Sequence, residues 1–232
     1  MPIIVRSWNV FHGNTMPPSR RGHLDAMLAL ATADAPGVVC LQEVPVWALG
    51  RLEAWSGMGT HGLVARRPRR PALASAWITR LHQGFFRSLL AGQANAILVA
   101  RGRASESLGW IQISEPGRER RVVQAVRIEN LGVVANLHAT NAVSTPSIPA
   151  AELERARLFL DSVARPGEAR ILAGDLNLRN PVVPGYENGG PGIDHILVAG
   201  ATAAPLSVWE RQRRIHNGRV LSDHAPVERL FD

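Results

Sequence analysis

Short apolar runs bounded by turns recur along the chain, and run after run ends on a polar residue that is costly inside a strand. The strand-like runs are Ile3–Val10, Gly37–Val44, Asn95–Ala100, Arg121–Glu129, Gly132–Ala139, Ala169–Gly174, Ile193–Ala199 and Ala225–Phe231. Several are apolar on both faces in their middle, the pattern of strands covered from each side. Two helices stand between them. One starts near Ser19, carries Leu24, Met27, Leu28 and Ala31 at helical spacing, and stops at Pro36-Gly37. The other runs from about Pro149 to Val163, with Leu153, Ala156, Leu160 and Val163 on one face. A shorter helix is predicted from Val46 to Trp55, whereas Ser56–Phe86 carries no readable period. With 232 residues, 46% hydrophobic and 19% charged, the expectation is one α+β domain over 1–232, built on two packed sheets.

The polar endings fall in order. Trp8-Asn9-Val10 and Leu41-Gln42-Glu43-Val44 close the first two runs, and Asn136-Leu137-His138 closes a later one. Gly174-Asp175-Leu176-Asn177 follows another run, Ile193-Asp194-His195 opens a strand, and Ser222-Asp223-His224 precedes the last. Residues two apart on a strand point to one side, so Asn136 projects with His138, and Asp175 with Asn177. Each alone has an ordinary reading, such as a turn former, a core histidine or a loop cap. A buried carboxylate costs several kcal/mol unless paired or metal-bound. Several of them at strand ends therefore point to one shared polar site. Carboxylate and amide oxygens are hard ligands that favour Mg²⁺ or Mn²⁺ over zinc. The histidines His138 and His224 are the natural proton carriers near neutral pH. Together these residue types suit hydrolysis of a phosphate ester.

These motifs, with Asn95-Ala96-Ile97-Leu98, resemble the ordered set of the endonuclease/exonuclease/phosphatase superfamily, from residue 3 to residue 231. This is the fold shared by pancreatic deoxyribonuclease, exonuclease III, inositol polyphosphate 5-phosphatases and neutral sphingomyelinases. The resemblance implies a four-layer α/β/β/α sandwich, two mixed β-sheets face to face, with the site at one end of the sheets. It implies metal ligation by Glu43, supported by Asn9 and joined by Asp223. It assigns activation of water to His224, and leaves open which of Asp175 and Asp194 orients that ring. Asn177 would hold a phosphate oxygen, and His138 would donate to the phosphate or to the leaving oxygen. A histidine at position 138 leans towards the deoxyribonuclease-like and phosphatase-like members. Asn95, Arg101 and Asn141 are expected as substrate contacts, with a structural role for Asn95 equally open. His195 is expected to be a strand residue only, and His12, His23, His61, His82 and His216 match no motif.

Charge adds a second constraint. Twenty-six basic and nineteen acidic residues give a net charge of +7, and every basic residue is arginine. Without lysine there is no Schiff base, no Walker-A lysine and no lysine base. The charge favours polyanionic substrates, although a coding bias explains the arginine usage most simply. Arg66-Arg67-Pro68-Arg69-Arg70 is either a solvated loop or a phosphate-contacting one. The single cysteine, Cys40, lies in an apolar run and reads as a small buried hydrophobe. Trp47, Trp55, Trp77, Trp110 and Trp209 are scattered and expected in or near the core. No run is long enough to span a membrane, and the start reads as a strand and not a signal peptide, so a cytoplasmic monomer is expected. Three functions compete: a metal-dependent nuclease on DNA or RNA, a phosphatase or phosphodiesterase for a small-molecule or lipid head-group phosphate, and a catalytically dead binding module. The intact set of polar residues argues against the last.

Overall fold

The computed structural model describes residues 2–19, 21–68, 74, 77, 91–187 and 192–232. Two mixed sheets face each other. The first has the strand order β11 (Ser207–Val208), β14 (Val227–Phe231), β1 (Ile3–Asn9), β3 (Val38–Val44), β5 (Gln93–Val99) and β4 (Gly59–Arg66). The second runs β10 (Asp194–Ala199), β9 (Arg170–Asp175), β8 (Gly132–His138), β7 (Val122–Ile128) and β6 (Ser105–Gln112). A small third sheet joins β12 (Ile215–His216), β13 (Arg219–Leu221) and β2 (Thr15–Met16).

Alternation along the strands divides the apolar side chains among three cores. Val5, Cys40 and Ile97 of the first sheet meet Val126, Val134, Ile171 and Ile196 of the second, so this core lies between the sheets. The opposite face of the first sheet, with Trp8, Leu41 and Leu98, is covered by Leu24, Met27 and Leu28 of helix α1 (Leu24–Thr32). Helix α2 (Leu52–Ser56), preceded by a 3-10 turn over Val46–Arg51, adds Leu52 to that layer. The outer face of the second sheet, with Val133, Ala135 and Leu172, is covered by Leu153, Ala156 and Leu160 of helix α3 (Ser147–Val163). Burying each such leucine contributes roughly 2 kcal/mol relative to exposure. The result is the expected four-layer sandwich.

The same topology fixes where a site can form. Each sheet holds one parallel pair, β1 with β3 and β8 with β9, and a helix crosses over outside each pair. Carboxyl ends of parallel strands in such units open into crevices. Here the carboxyl ends of β1, β3, β8 and β9 lie at one end of the sandwich, joined by the bond from Asn9 Nδ2 to Asp175 Oδ2 (3.0 Å). The amino ends of the antiparallel strands β5, β7 and β10 return to that end, because Gln93 pairs beside Arg66, Val123 opposite Leu137 and Asp194 opposite Asp175.

A polar layer separates the central core from the site. Gln42 Nε2 donates to Asn136 Oδ1 (2.8 Å) and Ser7 Oγ (3.1 Å). Asn136 Nδ2 donates to the Leu41 and Ala96 carbonyls, both at 2.9 Å. One amide thus stitches β8 to two strands of the opposite sheet, where the register slips between Leu41 and Val44.

Candidate active site

Glu43 sits on that slip. Its φ of +55° marks a bulge that turns the carboxylate out of the strand and towards the second sheet. There its Oε2 lies 3.4 Å from His12 Nε2 and its Oε1 3.9 Å from His138 Nε2. His12, which matches no motif in the sequence, is buried here beside Glu43.

Asp175 ends β9 and is buried. Its Oδ2 accepts from Asn9 and lies 3.4 Å from His138 Nε2 and 3.7 Å from His224 Nε2. Its Oδ1 accepts the Asn177 backbone N–H at 3.1 Å. Burial, then the neighbouring Asp194 charge, pushes its carboxyl up to about 7. The residue before it must be glycine: Gly174 has φ +148°, and a Cβ there would collide with the Leu137 carbonyl oxygen of β8.

Asp194 opens β10, and its Oδ2 meets His224 Nδ1 at 2.8 Å. Burial alone would lower the His224 imidazole; the Asp194 hydrogen bond and the charges of Asp194, Asp175 and Asp223 overcome it and raise it to about 9. The loop carrying His224 is held from three sides. Ser222, at φ +59°, donates from Oγ to the Asn9 carbonyl (2.7 Å). Trp8 Nε1 donates to the His224 carbonyl (3.0 Å), and buried Arg214 donates from Nη1 to the carbonyls of Leu221, Ser222 and His224.

His138 ends β8. Gln93 Nε2 lies 3.0 Å and Arg121 Nη1 3.2 Å from its Nδ1. Both neighbours are donors, so Nδ1 accepts and the proton resides on Nε2, facing Asp175 and Glu43. Burial, reinforced by the Arg121 charge, holds this imidazole well below its ordinary value. Asn177, at φ +50°, donates from Nδ2 to the Ala139 carbonyl (2.9 Å) and so ties the loops after β8 and β9 together.

The structure therefore brings Asn9, Glu43, His138, Asp175, Asn177, Asp194, Asp223 and His224 to one end of the sandwich. Asn141 is exposed on the loop just past His138. Asn95 is buried between the sheets and donates to the Val122 carbonyl at 3.4 Å, a structural contact. Arg101 is misplaced by the sequence reading. It follows Val99, which pairs with Val38 at the start of β3, so it lies at the opposite end of the sheet. His195 faces away from Asp194 and its Nε2 approaches the Leu178 carbonyl at 2.8 Å, as a strand residue should. His12, Gln93, Arg121 and Arg214 are additions that the motifs did not reveal. A groove of about 790 Å³ lined by Arg127, Asn130, Gly132, Glu168 and Asp232 lies at the end of the strands remote from the site.

The donor set fits a hard divalent cation. Asp194 Oδ1 is buried without a hydrogen-bond partner, and neither Glu43 nor Asp223 forms an ion pair with an arginine among the described residues. Asp223 opens to solvent at the mouth; desolvation on its packed side and the facing Glu43 push its carboxyl up. Asp175, Asp194 and His224 also bring ligand atoms within 4.8 Å of one another. Excess carboxylate of this kind is stabilised by an oxygen-ligated cation.

A two-sheet sandwich with carboxylates, amides and paired histidines at its strand ends defines a phosphoester-hydrolase architecture. The chain belongs to the Endonuclease/Exonuclease/phosphatase family, whose sequence profile matches residues 7–224. Members of the family are phosphoester hydrolases and generally use divalent metals. Among solved structures, TDP2 from Caenorhabditis elegans is similar over 100% of this chain and 74% of that one, with a TM-score of 0.69 and 17% identity. An endonuclease/exonuclease/phosphatase protein from Beutenbergia cavernae is similar over 99% of this chain and 71% of the other, with a TM-score of 0.69 and 20% identity. A mannosyl-6-phosphatase from Bacteroides thetaiotaomicron is similar over 99% of this chain and 100% of that one, with a TM-score of 0.69 and 14% identity. No curated protein matches the sequence. No helix among the described residues is long and apolar enough to cross a membrane.

Proposed function

We propose that the chain is a divalent-metal-dependent phosphodiesterase, a nuclease acting on DNA or RNA. The observation that carries the reading is the Asp194–His224–Asp175 arrangement, with a 2.8 Å bond at one end and a 3.7 Å approach at the other, facing Glu43 and Asp223. A Mg²⁺ or Mn²⁺ ion held by Glu43 and Asp223, with Asn9 in support, would polarise the phosphoryl oxygen and stabilise charge developing on it.

The chain's own groups have separable tasks. Asp194 fixes the His224 ring through Nδ1 and leaves Nε2 turned to Asp175. The proton of the attacking water passes to this His224/Asp175 pair. As the water oxygen bonds to phosphorus, the ester P–O bond breaks on the opposite side, and the leaving oxygen departs with the bonding pair and takes a proton from solvent. His138, neutral with its proton on Nε2, donates to a non-bridging oxygen. Asn177, held by Ala139, offers its amide to the same phosphate.

The +7 charge and the arginines bordering the site support a nucleic-acid substrate. A phosphatase for a small phosphoester is the second reading, supported by the full-length likeness to a mannosyl-6-phosphatase. A paired assay separates them. Plasmid, single-stranded DNA and RNA are incubated with Mg²⁺, Mn²⁺ or EDTA beside a panel of phosphomonoesters, with Glu43→Gln as control. The nuclease reading expects chelator-sensitive cleavage of nucleic acid, lost by orders of magnitude in Glu43→Gln. Intact nucleic acid with phosphate released from a monoester would make the second reading the right one.

A further inference from the structure

Beside the site, where the outer strands β4 and β6 of the two sheets face each other, a tryptophan stands open to solvent next to the half-buried guanidiniums of Arg66 and Arg120 and the buried one of Arg121. Trp110 of β6 is 49% exposed, against the expectation that the scattered tryptophans lie in or near the core. A register slip between Ser107 and Gly109, with Gly109 at φ +95°, re-aims the residue that follows. The indole is not loose. Arg120 stacks on it, 4.8 Å from guanidinium carbon to ring centroid, and donates from Nη1 to the carbonyls of Val64 (3.0 Å) and Ala65 (3.3 Å) on β4. An aromatic plate is thus held rigid at the open edge by a cation that is itself pinned to the opposite sheet.

From this plate the guanidiniums lead to the catalytic end. Arg121, next to Arg120 in sequence, touches His138 Nδ1 with Nη1, while its buried Nε has no partner. Arg66 and Arg121 both lean on Glu119, at 3.4 and 3.3 Å, and Arg118 leans on Glu115 at 3.4 Å. Long ion pairs of this kind at exposed acids contribute little and yield readily to a phosphate. By register Trp110 faces Gln124, which faces Asn136, two residues before His138. The plate therefore stands about two strands sideways, roughly 10 Å, and roughly 7 Å along the strand from His138. That separation suits a nucleotide close to the scissile phosphate.

We infer that the β4–β6 edge is a binding track for single-stranded nucleic acid, in which an unpaired base stacks on Trp110 and the backbone phosphates lie along Arg120, Arg66 and Arg121 towards His138. The inference rests on the phosphodiesterase reading and adds to it the strandedness of the substrate and the direction from which it enters. A duplex keeps its bases stacked on each other, so an indole at the edge offers it nothing, whereas an exposed base gains a π-face.

The test is binding, then turnover, with the full chain. Fluorescence anisotropy in EDTA compares a labelled oligothymidylate with a duplex of equal length. Wild-type protein is expected to hold the single strand at least tenfold more tightly. Trp110→Ala is expected to lose roughly tenfold in single-strand affinity, and Trp110→Phe to retain most of it. The specificity constant for the oligonucleotide, divided by that for bis(p-nitrophenyl) phosphate, is expected to fall by the same factor in Trp110→Ala. Thermal melts of both variants check that the fold persists. Equal binding of single strand and duplex, or undiminished binding by Trp110→Ala, would overturn the track and leave a nuclease reading standing. A wild type that neither binds nor cleaves nucleic acid, yet releases phosphate from a sugar phosphate, would overturn both.

Discussion

At the scale of single residues, the site depends on which atom carries which proton, and neighbours decide that. The Asp194 contact at 2.8 Å holds the His224 ring by Nδ1, so that Nε2 alone meets the reacting groups. Asp194→Asn keeps size and shape but offers its amide in place of a charged acceptor. Either the ring adopts the wrong tautomer or Nδ1 loses its partner. We expect turnover to fall by about 10²- to 10⁴-fold with the melting temperature little changed. Steady-state kinetics beside a thermal melt would read both; near-wild-type turnover would remove Asp194 from the orienting role. Asp194 was legible in the sequence because a carboxylate opening an apolar strand is costly unless it has work to do. His12, Gln93, Arg121 and Arg214 were not. A polar residue in a loop or at the first position of a strand costs nothing locally, and the partner that gives each its meaning is remote. Gln93 and His138, in contact at 3.0 Å, are 45 residues apart in the chain.

At the scale of elements, the position of Glu43 is a property of β3 and β8 together. Where the bulge that turns Glu43 outward begins, Asn136 of β8 donates to the carbonyls of the last paired residues, Leu41 and Ala96. Asn136→Ala removes both donors and takes the nearest acceptor from Gln42 Nε2, which keeps Ser7 Oγ. The buried polar groups left behind cost about 1–3 kcal/mol each. We expect a loss of at least ~2 kcal/mol in urea unfolding, together with weaker activation by Mg²⁺ as the bulge relaxes. An unchanged urea midpoint would show that the bulge holds itself. The same scale explains which elements the sequence displayed. Central strands such as β1, β3, β8 and β9 are buried on both faces and read as apolar runs, and their bounds were placed within a residue or two. The edge strands β4 and β6 are half-exposed to exposed along most of their length, so their residues obey no hydrophobic pattern. Both were missed, and with them the surface that carries Trp110. Helix α1 begins at Leu24, later than the sequence suggested from Ser19, because Ser19 Oγ accepts the Arg21 N–H in a local turn and the His23 N–H goes to the Gly13 carbonyl. Arg69 and Arg70 of the arginine-rich loop, His82, and residues 188–191 of the loop after Asn180 lie outside the described residues.

At the scale of the whole molecule, fold and catalytic set leave the substrate open, and charge is the property that separates the two readings. The net charge of +7 reflects a chain that uses arginine throughout, so its sum alone says little; where the arginines stand says more. Arg66, Arg120 and Arg121 lie on one side of the site, and a polyanion meeting them must displace counter-ions from its own backbone. For a single strand each phosphate neutralised contributes about −0.7 to the slope of log affinity against log salt. Three contacts therefore imply a slope near −2, close to a twentyfold loss of affinity between about 50 and about 200 mM salt. A small ester carrying one phosphate occupies the catalytic end alone and has no such row of contacts to lose. We expect the specificity constant for an oligonucleotide to drop steeply across that range while the constant for bis(p-nitrophenyl) phosphate changes by less than about threefold. Substituting Arg120 by methionine, which preserves an apolar cover over Trp110 and removes the charge, should flatten the oligonucleotide slope by about 0.7. A salt profile equally shallow for both substrates would mean that the arginines serve only to hold the sheet edges together. The molecule would then be a small-ester phosphatase whose basic charge has no part in choosing its substrate.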